Sequence, residues 1–374
     1  MDGRPRAGQS NLEVTNDLRI GVIGLGFGAN HARILREMPG ACLAAVADAK
    51  PERFAPFEVP GTHAYAGHAA MLASERLDAV IVAVPARLHA EVALAAIAAG
   101  CAVLVEKPLA PSLAEAQRIV EAARASGVAL MPGHIERFNP AVIELARRVH
   151  AGEIGRVLQV TARRMSANRE REHGSRLPPN DVNVIHDSAI HDIDAIRHVL
   201  GLEVASVYGV AQSGIVTPAE DAITATLRFA SPRRGETLAP DEAHHADEAH
   251  ASGEAHPFRG GASTLAPIAS LDVNWLSPRR VRDLSVLGEH GMFVVDYAAQ
   301  SLSLHRTAGE PAIEIPIAHH DQLEAELSAF VAAVRDSAPM PVTAEDGLAA
   351  VAIADALTRS ARTGKPVTLG EGTP

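Results

Sequence analysis

Apolar residues along the chain fall into two rhythms. From Leu18 onward, short runs of small and branched apolar residues at 18–24, 42–47, 79–84, 102–105 and 128–131 suit strands buried on both faces. Helical patterns at 88–99 and 113–125 lie between them, the second opened by Ser112 with Glu115 three residues on, a reciprocal N-terminal cap. Strands alternating with helices build βαβ units with right-handed crossovers, and hence a doubly wound parallel sheet. After about Asn139 the rhythm changes. A helix at 141–150 leads into strand-like runs at 156–165, 205–212, 222–229, 270–275, 282–287 and 291–296, with turn signals between them as in an antiparallel sheet. A helix at 188–200 interrupts these strands, and two more at 322–335 and 345–362 close the chain. The expected class is α/β, with one domain at 18–138 and a second, α+β domain at 139–370.

Two stretches fit neither rhythm. Residues 1–17 are polar and read as a disordered leader. Residues 232–262 carry almost no large apolar side chain and sit between two strand-like runs, so a mobile hairpin insertion is expected there. The insertion holds His244, His245, His250 and His256; metal binding is the alternative to a solvated loop.

The length of 374 residues is two domains' worth, and 47% hydrophobic with 21% charged residues is a globular balance. The net charge of -11 and 3% aromatics exclude phosphate-neutralising nucleic-acid binding and a base-stacking platform. Cys42 and Cys101 make neither a disulfide framework nor a structural zinc site, and read as small buried hydrophobes. The N-terminus lacks the apolar stretch of a secretory signal, and the apolar run 92–105 is too short to span a bilayer. A soluble, cytoplasmic chain is expected.

The first strand runs into Gly24-Leu25-Gly26-Phe27-Gly28-Ala29 before a helix. Glycines at 24 and 26 allow a tight turn and close approach to a pyrophosphate, which then sits on the helix N-terminus. Ala29 takes the third place of a G-x-G-x-x-A fingerprint, with Gly28 as a tighter alternative. Asp48, at the end of the next strand, suits the adenosine ribose hydroxyls and favours NAD over NADP, although Lys50 and Arg53 lie close. Its alternative role is a turn residue before Pro51. The first domain is therefore expected to be a Rossmann NAD-binding domain.

Glu106-Lys107-Pro108 follows a strand at the carboxyl edge, where open α/β sheets bind ligands. A lysine there can donate to a hydroxyl or carbonyl oxygen; a surface lysine is the alternative. On a helix, Asp187, His191, Asp194 and His198 stack along one polar stripe, opposite Ala189, Ile193, Ile196 and Leu200. A near-neutral histidine oriented by a carboxylate suits removal of a hydroxyl proton. A solvated helix face or a metal-ligand stripe are the alternatives. Arg163, Arg164, Arg169, Arg171 and Arg176 crowd into one short stretch, as for an anionic substrate or a solvated loop.

Together the glycine loop, Val84-Pro85 with His89, Glu106-Lys107-Pro108 and Asp187-x-x-x-His191-x-x-Asp194 resemble the Gfo/Idh/MocA family of oxidoreductases. The resemblance implies a C-terminal domain with a large open sheet that builds homo-oligomers, and a Lys107–His191 catalytic pair assisted by Asp187. It places Phe27, Pro85, His89 and Glu106 with the cofactor site, implies no metal, and implies a cis peptide before Pro108. Gly133-His134-Ile135-Glu136-Arg137-Phe138-Asn139-Pro140, the 152–155 turn, Ala162-Arg163-Arg164 and His191-Asp192-Ile193-Asp194 resemble the UDP-N-acetylglucosamine 3-dehydrogenase branch. That likeness implies NAD-dependent oxidation of the nucleotide sugar to its 3-keto form ahead of a partner aminotransferase, with Arg137, Arg163 and Arg164 on the substrate. A dehydrogenase of a free sugar or inositol, or a regulator binding NAD and sugar without turnover, are the alternatives. The chain departs from the family pattern in a glycine loop one residue shorter before His31 and in the 232–262 insertion.

Overall fold

The computed structural model describes residues 17–167, 183–230 and 266–370. The expected leader and insertion, with Arg169, Arg171 and Arg176, lie outside the described residues.

The first sheet has six parallel strands: β1 (Leu18–Ile23), β2 (Ala41–Ala47), β3 (His63–Tyr65), β4 (Ala79–Val82), β5 (Ala102–Glu106) and β6 (Leu130–Gly133). Their order is β3-β2-β1-β4-β5-β6. The order reverses between β1 and β4, which opens a crevice at the carboxyl ends of β1, β4 and β5. Helices α1 (Gly28–Leu35), α2 (His68–Ser74), α3 (His89–Ala98) and α4 (Leu113–Ser126) cross between strands. The cap read from sequence is present on α4: Ser112 Oγ accepts from Glu115 N at 3.4 Å and donates to Glu115 Oε2 at 2.8 Å.

After α5 (Pro140–His150) comes a nine-stranded sheet built from β7 (Val157–Ala167), β8 (Val204–Ser213), β9 (Glu220–Phe229), β10 (Ile268–Asn274), β11 (Leu276–Gly288), β12 (Gly291–Asp296), β13 (Ser301–His305), β14 (Ile313–Ile315) and β15 (Val367–Thr368). The order is β14-β13-β12-β11-β7-β10-β9-β8-β15, antiparallel throughout except for the β7–β10 pair. Its inner face buries Val160, Ala162, Leu284 and Val286 against α5 and α6 (Ile190–Leu200). The alternate residues face outward, as the strand period of two requires.

The last two helices return across both sheets. On α7 (Gln322–Asp336), Leu327, Phe330 and Val331 join the core of the first sheet. On α8 (Ala344–Thr363), Leu348 and Val351 enter the core around α3 and α4, whereas Ile353 and Leu357 enter that of the second sheet. Thr343 and Asp346 form a capping box at the start of α8, and Gly347 lies where a Cβ would stand 2.5 Å from Pro132 Cγ. Among the described residues no helix is long and apolar enough to cross a membrane.

Phe330 is fully buried at the joint between α7 and the first sheet. Phe330→Ala should lower stability by about 3–5 kcal/mol through lost transfer energy and the cavity left behind. The urea midpoint at unchanged slope measures it, and a midpoint equal to that of the unaltered chain would show that α7 is not anchored there.

Candidate active site

The crevice is built first by the glycine loop. Gly24 has φ +93°, and a Cβ there would lie 2.5 Å from the Ala83 carbonyl oxygen, so only glycine fits. A Cβ on Gly28 would meet Ala83 Cβ at 3.0 Å and Val22 Cγ1 at 3.1 Å. Gly28, rather than Ala29, therefore provides the close helix–strand packing of the third fingerprint position. Gly26 is exposed, and α1 starts with no side-chain cap and no acidic residue in its first turn. Its amide groups and positive dipole end are left for an anion.

Asp48 closes the far side. Its carboxylate accepts from Leu25 N at 2.6 Å, Lys50 N at 2.8 Å and Arg53 Nη1 at 3.0 Å. Burial pushes this carboxyl up, but these hydrogen bonds and the Arg53 charge outweigh it and hold Asp48 below its ordinary range. An open glycine turn, an uncapped helix start and an ionised carboxylate beyond them suit a dinucleotide. Gly24, Gly26, Gly28 and Asp48 would hold it, with exposed Phe27 stacked edge-on against His31, centroids 5.4 Å apart.

Two residues expected at the cofactor brace the crevice instead. His89 is buried, with Nδ1 2.7 Å from Pro108 O and Nε2 2.9 Å from Val84 O. It thereby ties the turn at Pro85 to the Lys107–Pro108 peptide, which is cis. Glu106 Oε1 meets His31 Nε2 at 2.8 Å, and Glu106 Oε2 accepts from Lys107 N at 3.2 Å.

Beside Glu106 stands a residue not read from the sequence. Glu326, on α7, is fully buried and neither carboxyl oxygen has a partner among the described residues. Burial, then the Glu106 charge, pushes Glu326 well above the carboxylate range, so it is a neutral acid. Its signal was in the pattern: Leu323, Glu326, Leu327 and Phe330 share one apolar stripe, and an acid in such a stripe is buried.

Lys107 and Asp187 come together. Lys107 Nζ donates to Asp187 Oδ1 at 2.9 Å and to Asp187 O at 2.8 Å. Asp187 lies in a π-helical turn, Ile185–Ala189, just before α6. This widened turn, not a continuous α-helix, carries Asp187, so the four-residue stripe expected from spacing is broken at its start. The carboxylate expected to orient His191 holds Lys107 instead.

His191 is partly exposed, with its Nδ1 sealed and without a partner among the described residues. Burial, followed by the charges of Lys107, Arg164, His134 and Arg282, holds its ring well below the ordinary histidine range. The ring is a neutral base rather than a near-neutral one.

The arginines expected on the substrate have other partners. Arg164 is buried, donates to Asp192 at 2.8 and 3.1 Å and to Glu136 at 3.0 Å, and lies 5.0 Å from the Tyr297 ring centroid. Arg137 donates to Asp194 at 2.7 and 2.9 Å and to Asp346 at 3.0 Å. Arg163 points to the outer sheet face and is forked onto Asp283 at 2.5 and 2.9 Å. These internal pairings correct the expectation of an arginine clamp made by Arg137, Arg163 and Arg164.

A neutral Glu326 sets a testable pH dependence. Its pKa is raised on folding from an unfolded value of about 4.3, so between the two values the folded chain holds the extra proton. The stability tied to it is complete below the unfolded value and is lost as pH rises toward the folded one. Glu326→Gln, which stays neutral, should melt close to the unaltered chain at pH 4 and progressively above it toward pH 8. Parallel melting curves for the two across that range would show that Glu326 ionises normally.

The oxidoreductase family model for an NAD-binding Rossmann fold matches residues 18–134, and that for the family's C-terminal alpha/beta domain matches residues 146–369. The chain is 37% identical over 196 residues to inositol 2-dehydrogenase 4 of Saccharopolyspora erythraea, a match covering 51% of this chain and 56% of that one. It thus spans a little over half the length of the curated relatives it matches. Among solved structures it is similar to UDP-N-acetylglucosamine 3-dehydrogenase GnnA of Acidithiobacillus ferrooxidans, with TM-score 0.74 and 24% identity over 93% of this chain and 98% of that chain. It is also similar to the WlbA dehydrogenase of Bordetella pertussis in complex with NADH and UDP-GlcNAcA, with TM-score 0.76 and 22% identity over 95% and 99%. With both halves matched in order, the chain belongs to the Gfo/Idh/MocA family of NAD-binding oxidoreductases.

Proposed function

We propose that the chain is a dehydrogenase that oxidises a secondary hydroxyl of a polyhydroxylated ring to a ketone with NAD. The observation that carries this reading is a lysine anchored by Asp187, whose charge, with burial, keeps the His191 ring neutral. NAD, when bound, supplies the hydride acceptor. Lys107 spends two of its three ammonium hydrogens on Asp187 and keeps the third for the substrate oxygen. That donation holds the hydroxyl in place and favours its deprotonated form. His191 receives the hydroxyl proton at Nε2, the ring nitrogen that is not sealed.

The likeness to inositol dehydrogenases favours a cyclic polyol as the substrate class. A second reading, UDP-N-acetylglucosamine oxidised at C3, is supported by the 133–140 and 191–194 motifs. Its ketone product is the form an aminotransferase accepts. We place self-association on the outer face of the nine-stranded sheet, where no helix of the described residues packs.

Offered inositols and UDP-N-acetylglucosamine in turn, the enzyme should generate the absorbance of reduced nicotinamide. Lys107→Ala should still quench NADH fluorescence on binding yet lose roughly 10²–10⁴-fold in kcat. Because the base must be unprotonated, kcat/KM should fall only as pH drops through the depressed histidine value, so its acid limb lies below about 6.5. Full turnover by Lys107→Ala, or an acid limb above that pH, would remove the assignment.

A further inference from the structure

One arginine near His191 has no hydrogen-bond or ion-pair partner among the described residues. Arg282 stands on β11 directly opposite Arg164 of β7 in the antiparallel register, so both side chains project from the inner sheet face. Arg164 consumes the hydrogen bonds of Asp192 and one oxygen of Glu136. Arg282 Nε is sealed from water with no partner among the described residues, and Glu136 Oε2 is likewise sealed and unpaired. A guanidinium without a hydrogen-bond acceptor is costly to bury, so such a group marks a place where a partner arrives.

Position supports this. The Arg282 charge acts on His191, which puts it within electrostatic reach of the base. With Arg279 and Arg280 it also lines an open depression of about 170 Å³. The acids of that depression are already engaged: Asp283 is forked by Arg163, and Asp296 accepts from the amides of Ala298 and Ala299. Burial, then the charges of Arg164 and Arg280, pulls Arg282 down to about 10, and the charges of Glu136 and Asp192 offset this only in part.

We propose that Arg282, assisted by Arg280, binds an anionic group carried by the substrate whose hydroxyl faces Lys107 and His191. This rests on the dehydrogenase reading above but departs from its cyclic-polyol substrate class: the substrate is a ring alcohol bearing a carboxylate or a phosphate, not a neutral polyol. Planar guanidinium forks suit both anions. Which anion it is separates a sugar acid from a nucleotide sugar.

The test compares myo-inositol, glucuronate and UDP-N-acetylglucosamine as substrates of the unaltered enzyme, Arg282→Gln and Arg282→Lys. The unaltered enzyme should prefer one of the anionic compounds. Arg282→Gln should reduce the ratio of anionic to neutral kcat/KM by tenfold or more, mostly through KM, and Arg282→Lys should recover part of it. The favoured arm, carboxylate or diphosphate, identifies the anion. A preference for inositol in the unaltered enzyme, or a ratio unchanged by Arg282→Gln in a variant with an unaltered melting temperature, overturns the proposal and leaves the dehydrogenase reading standing. If no compound is turned over, that reading has failed. Calorimetric titration of the NADH-loaded proteins with UDP-N-acetylglucosamine and with glucuronate then decides for Arg282 alone: weaker binding of either to Arg282→Gln supports its anion role, and equal or absent binding of both overturns it.

Discussion

Two buried ion pairs hold His191 in place. Asp192 and Asp194 follow it one and three residues on in α6, and each is clamped by an arginine from a different element: Arg164 from β7 and Arg137 from the 3₁₀ turn Ile135–Phe138. The start of α6 is therefore bolted to the sheet on one side and to the end of the first domain on the other. Removing one partner of such a pair leaves an uncompensated buried charge and costs about 3–5 kcal/mol, whereas the intact pair adds little net stability. Its contribution is placement. The helix cannot rotate without unpairing one carboxylate or the other, so the ring of His191 is fixed in direction although it makes no hydrogen bond at Nδ1.

The same constraint joins the two sheets. Arg137 reaches Asp346 at the head of α8 as well as Asp194, and Arg197 of α6 donates to Asp346 too, at 3.3 Å. Asp346 is half of the capping box that starts α8. Burial raises the Asp346 carboxyl, but its bonds to Arg137 and Thr343 pull it far below the ordinary range, so it stays ionised. A single carboxylate thus caps the helix that spans both cores and fastens it to the element carrying the base. On the opposite side of the crevice α7 brings neutral Glu326 against Glu106, which precedes Lys107. Lys107 follows a strand of the first sheet and His191 lies on a helix packed against the second, and their alignment depends on these two returning helices.

Much of this is legible in the sequence. Parallel strands announce themselves as apolar runs, and the runs at 42–47 and 79–84 correspond to Ala41–Ala47 and Ala79–Val82. Four strands escaped: His63–Tyr65, Ile313–Ile315 and Val367–Thr368 are two or three residues long at sheet edges and carry too few positions to show a period, and Ser301–His305, inside the second sheet, has only five. The polar stripe on 187–198 was misjudged for a different reason. Spacing assumes a uniform α-helix, and the π-helical turn at Ile185–Ala189 shifts Asp187 out of register. Charge clustering misled in a third way. Arg163 and Arg164 are adjacent, but in a strand adjacent side chains leave opposite faces, so they never formed one patch.

That alternation also decides which cations can meet a substrate. Arg164 and Arg282 share the inner face, yet the two carboxylates within hydrogen-bonding distance, Asp192 and Glu136, sit on the Arg164 side. An arginine matched to two acids has no fork left to give, however close it lies to the chemistry. Arg282 keeps its donors because Arg164 takes both oxygens of Asp192 and Oε1 of Glu136, while Glu136 Oε2 stays unpaired among the described residues. The substrate-facing charge of the crevice is set in this way by local competition for hydrogen bonds among buried groups, and a chain of net charge -11 can still offer a positive contact beside its base.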